Sequence, residues 1–354
     1  MNLNEHKFLV TTCKSGVIKY YPKLLAFTDL QFVREVNKHR GKFKRLFEFY
    51  KELKDAEHII WYSFSRQRYS FMLPIYFSNK IIKKSIWLRL PREEFLKGNS
   101  KKYKDKIFKH IYFSVIRKIS TIGFFSSIDK YRFERMNKNN IKNKNIKTFD
   151  LPIFVSEERI RKLKEIRTKV KSINNTIIQI TDEPANRCAL FSILEALTKF
   201  SQENIKIGIP INYGFYYHRL SLREKQYIQK IKRFADKKMK DKVTIWNSPI
   251  SEDVFIRYLS YVDILILNMN IPSRYTNLLY FLYLGKKVFL PQNTTVYSYF
   301  HNLGITVFDL KDISQLTFDK LMENNDQSIG QAWAAERLES NIIMKKWNNF
   351  FENI

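Results

Sequence analysis

Between residues 174 and 309 the chain alternates short apolar runs with longer amphipathic stretches, and polar residues stand where each short run ends. The short runs fall at 176–180, 205–209, 243–246, 264–267, 287–290 and 305–308. They are β-branched and nearly continuous, the pattern of strands covered by helices on both faces. Strands alternating with helices predict a doubly wound parallel α/β domain, whose ligands sit beyond the carboxyl ends of the strands. The first candidates for a site are therefore the segments that follow those ends: Thr181 to Asn186, Pro210 to Gly214, Asn268 to Asn277, and Gln292 to Thr295.

The first half alternates less cleanly. It predicts strands at 7–11, 58–62, 85–90, 119–124 and 149–154, and helices at 32–53, 69–79 and 101–117. This is a second α/β domain of the same kind. The polar Asn/Lys run at 137–147 reads as an exposed loop, and Ser156-Glu157-Glu158 opens a charged helix to about residue 170, with serine as N-cap and acids in the first turn. The expected domains are 1–172 and 173–327, followed by one helix over 328–354 that is expected to pack back on the first domain.

Composition narrows the function. A chain of 354 residues with 44% hydrophobic and 15% aromatic side chains can bury two cores. Cys13 and Cys188 form no metal or disulfide spacing, and no run reaches the roughly 18 apolar residues of a membrane span. A cytoplasmic protein, soluble or peripheral, is expected. The net charge of +29 is uneven: residues 1–170 hold 40 basic against 16 acidic side chains, and residues 171–354 hold 23 against 18. Such a field attracts nucleic acid, anionic lipid or phosphorylated substrates.

Walker, GxGxxG, GxSxG and HExxH patterns are all missing, as is an Asp-x-Asp that would hold a metal–diphosphate complex. A diphosphate ligand held without that motif needs helix N-termini, Arg, Lys or hydroxyls. The stretch Asn270 to Asn277 offers these groups just before an apolar helix at 278–284: Ser273 or Thr276 as cap, Arg274 toward phosphate, with Tyr275 and Asn277 beside them. Tyr213 offers a stacking face and Gly214 close backbone approach, next to Pro210 and Asn212. Asp182, Asn186 and Asn268 complete the candidate nucleotide-binding set, with Asp182 directed to hydroxyls or amides because a carboxylate repels a diphosphate.

The ordered series IGIPINYG, WNSPISEDVFIRYLSYVDILIL and TNLLYFLYLGKKVFLPQNTTVYSYFHNLGITVF resembles the donor-binding half of glycosyltransferase family 56, the TDP-N-acetylfucosamine:lipid II N-acetylfucosaminyltransferases or 4-alpha-L-fucosyltransferases. The shared features fall on Pro210 to Tyr213, Arg257 to Asp263 and Leu278 to Gly285. The resemblance implies the GT-B fold, two Rossmann-like domains facing across a cleft, and transfer of a TDP- or UDP-linked sugar to an acceptor hydroxyl. No metal or other cofactor is implied. It implies further that SIWLRLPREEF contributes to the acceptor side, through Trp87, Arg89 and Arg92, and that GFFSSIDKYRF places Asp129 at a matched acid. Asp129 first and Glu94 second are the candidate catalytic bases, against the more ordinary role of a salt-bridge or cap residue for each; His58 and His110 are weaker. The implied acceptor is a lipid-linked oligosaccharide or surface-glycan precursor at the inner face of a bacterial membrane, where the basic first half would meet anionic headgroups. A sialyl or hexosyl donor is an alternative. So is a basic nucleic-acid-binding protein, although no RNP, OB, zinc or helix-turn-helix pattern supports it and no nucleic-acid partner is expected.

Overall fold

The computed structural model describes residues 8–11, 31–32, 54, 58–61, 78–83, 85–87, 110, 113–124, 126–136, 145–152, 155, 157–167, 175–182, 187–210, 222–246, 251–268 and 275–353. The chain divides into two compact units, Met1–Phe154 with Ser340–Ile354, and Val155–Glu339.

The first unit contains β1 (Phe8–Thr11), β2 (Gln31–Phe32), β3 (His58–Trp61), α1 (Asn79–Lys83), β4 (Ser85–Trp87), β5 (Thr121–Phe124), α2 (Ser127–Met136) and β6 (Lys147–Asp150). The strands form one parallel sheet in the order β2-β1-β3-β4-β5-β6. Ile59, Ile86, Trp87, Ile122 and Phe124 are buried, and α2 packs on β5 with its buried Phe133, whose ring lies 5.3 Å from that of Phe124.

The second unit contains α3 (Glu157–Arg167), β7 (Thr176–Asp182), α4 (Arg187–Leu197), β8 (Ile205–Pro210), α5 (Leu222–Met239), β9 (Val243–Trp246), α6 (Glu252–Tyr261), β10 (Ile264–Asn268), α7 (Tyr275–Tyr283), β11 (Lys287–Leu290), α8 (Thr295–Asn302), β12 (Phe308–Asp309), α9 (Phe318–Met322) and α10 (Ser328–Leu338). Its six strands are also parallel, in the order β12-β11-β10-β7-β8-β9. The order reverses between β7 and β10. Ile178, Ile180, Ile207, Ile209, Ile264, Ile266 and Phe289 form one buried face, covered by Leu190, Leu194 and Leu197 of α4 and Ile231 and Met239 of α5. The nearly all-buried α7 belongs to the opposite face and packs against α10, where Gly330 allows close approach: a methyl there would meet Ile305 at 3.2 Å and Leu282 at 3.5 Å.

Several boundaries differ from the sequence expectation, each for a local reason. The division falls at Phe154 and Val155 rather than at 172 because α3 is tied into the second unit. Lys162 Nζ donates to Asp253 Oδ1 on α6 at 2.7 Å, and Arg159 Nη1 donates to the Tyr280 hydroxyl on α7 at 3.0 Å. The expected helix over 328–354 is two helices, α10 in the second unit and α11 (Ser340–Glu352) in the first. Glu339 between them is extended, with φ −73° and ψ 122°, and Asn341 Oδ1 accepts from the Ile342 amide at 2.9 Å, local bonding of the kind that competes with helix propagation. Within the first unit, Trp347 Nε1 donates to the Pro152 carbonyl at 3.2 Å and Phe350 meets Phe149 edge-on at 5.2 Å, so α11 covers β6.

The last strand of the first sheet starts at Lys147 rather than 149, drawing in the end of the polar run, because Lys147 pairs with Thr121 and Asp150 with Phe124. Gln31–Phe32 is a strand on β1, not the start of a helix, and the rest of the helix expected at 32–53 lies outside the described residues. The strand expected at 305–308 is Phe308–Asp309. Gly304, with φ +70°, ends α8 in the left-handed region, and the Ile305 amide closes on Phe300 O at 3.0 Å, so those residues terminate the helix instead.

Gly208 on β8 tests the packing of the second unit. A methyl there would lie 2.6 Å from the Tyr258 hydroxyl oxygen and 3.2 Å from the Trp246 ring. Gly208→Ala should lower stability by about 1–3 kcal/mol, read as a fall in the thermal midpoint. Adding Tyr258→Phe should restore part of the loss; strictly additive losses would contradict this contact.

Candidate active site

The reversal of strand order leaves the carboxyl ends of β7 and β10 side by side, the position where doubly wound sheets bind ligands. Asp182, the last residue of β7, pairs in register with Asn268, the last of β10. Asn268 is only 5% exposed, and Pro210 ends β8 as a buried residue. Three residues from the sequence-derived set thus converge on one edge of one sheet.

Two more polar groups lie just beneath that edge. Gln179 and Thr181 project from the face of β7 opposite Ile178 and Ile180, both are buried, and Gln179 Nε2 donates to Thr181 Oγ1 at 3.2 Å. A buried amide is costly unless it is hydrogen-bonded, so this pair fixes the side chains at the head of β7. Gln179 was not among the candidates, yet a lone glutamine inside the run TIIQIT carries that signal.

Beyond β10 the chain enters α7 at Tyr275. Thr276 and Asn277 therefore lie inside the helix's first turn and are half-buried, which corrects the expectation that Thr276 caps a helix beginning at Leu278. The first turn of α7 holds no acidic side chain, so its amide-rich end keeps its partial positive charge uncompensated from within. At its other end Gly285, with φ +68°, and the bond from the Lys286 amide to Phe281 O at 3.0 Å terminate the helix. The body of α7 is anchored by the Arg159 bond to Tyr280 and by the Arg167 guanidinium 5.0 Å from the Tyr283 ring centre. Burial raises the Tyr280 hydroxyl above its ordinary pKa, while Arg159 pulls the other way.

The turn after β11 differs. Thr294 caps α8 by accepting from the Tyr297 amide at 3.2 Å, and Asp309 Oδ1 accepts from the amides of Gln292 at 3.2 Å and Lys311 at 3.3 Å. A fixed carboxylate beside that turn disfavours a second anion there. Of the two helix starts, α7 suits a diphosphate better.

In the first unit Asp129 occupies the first turn of α2. Its amide donates to Ser126 Oγ at 3.4 Å and its carboxylate pairs with the buried Arg132 at 3.5 Å, while Ser127 Oγ donates to Asp150 Oδ2 at 2.6 Å. Trp87 on β4 is fully buried, which places it in the core of its unit rather than on an acceptor surface. His110 is exposed on a helical residue. Arg89, Arg92, Glu94, Asn186, Asn212, Tyr213, Gly214, Ser273 and Arg274 lie outside the described residues, as do the side chains of His58, Asp182 and Tyr275. Among the described residues no group of three or more His, Cys, Asp or Glu could hold a metal ion, and no helix is long and apolar enough to cross a membrane.

No protein-family model matches the sequence, and no curated protein does. Solved structures do match over nearly the whole chain. The sucrose-phosphate synthase of Thermosynechococcus elongatus has a TM-score of 0.64 at 10% identity, with 98% of each chain covered. A glycosyltransferase from Rickettsia africae has a TM-score of 0.59 at 13% identity, again with 98% of each chain covered. The UDP-forming alpha,alpha-trehalose-phosphate synthase of Burkholderia vietnamiensis has a TM-score of 0.56 at 9% identity over the same shares. At these identities the likeness is one of fold, and the fold is GT-B, two Rossmann-like units of parallel sheet.

Replacing Thr181 with valine should remove an acceptor from the buried Gln179 amide and destabilise the protein by about 1–3 kcal/mol. The double variant Gln179→Leu with Thr181→Val should recover much of that, because no amide is then left buried. Denaturant midpoints decide it: a double variant as unstable as the sum of the singles would mean the pair is not coupled.

Proposed function

We propose that this chain is a metal-independent glycosyltransferase that moves a sugar from a nucleoside diphosphate donor to an acceptor hydroxyl. The observation that carries this reading is the strand-order reversal at β7 and β10, with Asn268 at its edge and the acid-free start of α7 beside it. In the reaction the acceptor oxygen forms a bond to the anomeric carbon as the bond to the diphosphate breaks. The acceptor proton passes to a carboxylate, and the nucleoside diphosphate leaves with the bonding electrons. The α7 amides would receive the charge that develops on the departing diphosphate. Solved neighbours named as a glycosyltransferase, a sucrose-phosphate synthase and a UDP-forming trehalose-phosphate synthase support the reaction class.

The finer reading rests on the ordered segments that resemble family 56: a TDP- or UDP-linked aminodeoxy sugar as donor, and a lipid-linked oligosaccharide or surface-glycan precursor as acceptor. Asp129 and Glu94 remain the proposed bases, and Arg89 and Arg92 the proposed acceptor contacts. The 40-to-16 excess of basic side chains in residues 1–170 supports a peripheral position on the anionic inner face of a cell membrane.

A thermal-shift panel of nucleosides and nucleoside diphosphates tests the donor class, since a ligand bound only by the native state raises the midpoint. UDP or TDP should raise it, and acceptor should be required for release of diphosphate from the sugar nucleotide. Arg274→Ala should weaken nucleoside diphosphate binding about tenfold to a hundredfold while leaving the nucleoside nearly unaffected, as expected for a charge-assisted contact to phosphate. Equal losses for both ligands would remove Arg274 from the phosphate site.

A further inference from the structure

The basic charge of the second half is not spread over it. Residues 222–242 hold nine basic against three acidic side chains, whereas the rest of 171–354 holds 14 against 15. A general preference for lysine would load every exposed helix alike. Here one segment, α5 with the turn after it, carries all of the excess.

The structure shows how the charges are displayed. Ile231, Ala235 and Met239 turn α5 toward the sheet, and Phe191 of α4 meets Tyr227 and Phe234 edge-on at 5.8 and 5.7 Å. On the opposite side Lys230, Arg233 and Lys237 follow one another at the i, i+3, i+7 spacing of a single helical face, all exposed. Lys225, Lys232, Lys238 and Lys240 are exposed as well, and among the described side chains of α5 Asp236 is the one exposed acid. Among the described residues none of Lys230, Arg233 and Lys237 makes an ion pair, and Asp241 is engaged by Lys206 Nζ at 2.8 Å. Like charges one turn apart repel, so this face costs the isolated helix some stability that an anionic partner would offset.

Its direction separates it from the donor site. The helix runs back from the carboxyl edge of the sheet, after β8, to the amino edge, before β9. At about 1.5 Å per residue Lys237 lies roughly 22 Å along the helix from Leu222, far from a diphosphate at α7.

We propose that this face of α5 is a second docking surface, on the donor-binding unit, for an anionic bilayer. The choice of a bilayer rests on the lipid-linked acceptor reading above; the patch itself does not. Among the described side chains of α5 none of the exposed ones is aromatic, so this face offers no stacking platform of the kind single-stranded nucleic-acid binders use. None of them is a large apolar residue either, so the attachment is electrostatic and lies on the headgroups.

The test is sedimentation of the full chain with vesicles of equal parts phosphatidylglycerol and phosphatidylcholine, against phosphatidylcholine alone. Wild type should partition onto the anionic vesicles only and be released by salt. The variant Lys230→Gln, Arg233→Gln, Lys237→Gln should partition about a hundredfold less, while its thermal midpoint and its shift with UDP or TDP stay as in wild type. A control with Lys164, Lys311 and Lys320 changed to Gln, three exposed cations elsewhere in the unit, should lose far less. Equal losses in the two variants, no loss in the first, or binding indifferent to lipid charge would overturn the proposal. Tighter, salt-sensitive binding to a single-stranded RNA that the first variant abolishes would assign the face to nucleic acid and also overturn it. Failure of UDP and TDP to shift wild type would instead count against the transferase reading and leave the vesicle result standing.

Discussion

A parallel sheet must be covered on both faces, and this requirement governs the second unit. Each strand has to be joined to the next by a helix that crosses over the sheet, and such crossovers are right-handed. Helices α4 and α5 carry the chain outward on one face through β8 to β9. The chain can cover the other face only by returning to the far side of β7, where β10 pairs with it. The carboxyl ends of β7 and β10 then stand side by side at the reversal of strand order, the position where doubly wound sheets bind ligands. The position of Asp182 and Asn268 is a consequence of that return.

The same constraint explains the polar residues inside the sheet. Ile178 and Ile180 alternate with the buried Gln179 and Thr181, whose polar groups need partners inside the sheet, and one such bond runs from Gln179 Nε2 to Thr181 Oγ1 across 3.2 Å. It also explains α7. Lying on a fully buried face, the helix has a continuous apolar body from Leu278 to Tyr283, and Gly330 brings α10 against it. With the body fixed by packing and by Arg159, its amino end is held at the site without contributing an acid to it.

Much of the second unit was legible because a strand buried on both faces writes itself as an apolar run. Ile264 to Asn268 and Lys287 to Leu290 needed little more than their composition. What escaped depended on contacts rather than on runs. Glu339 interrupts a good amphipathic pattern because its two sides answer to different cores, and no local signal separates Leu338, buried in one unit, from Trp347, buried in the other. Gly304 was visible as a glycine, but its role in ending α8 depends on the Ile305 amide reaching Phe300. In the site, the ends of β7, β8 and β10 could be read from polar residues after apolar runs. The start of α7 at Tyr275 could not, since Tyr275, Thr276 and Asn277 read equally well as loop or first turn. The first unit was harder because its strands are short and its charge is high, so that Lys147 and Thr148 pair in the sheet from within a run that reads as a loop.

The central claim is that a nucleoside diphosphate binds at the β7 and β10 edge of the second unit. Amide hydrogen exchange of the full chain with and without UDP or TDP tests it most directly, because bound phosphate slows exchange of the amides that hold it. Protection should appear in the peptides spanning 181–190 and 267–279 and be small elsewhere in the second unit. Protection confined to residues 1–154, or none with either nucleotide, would contradict the account.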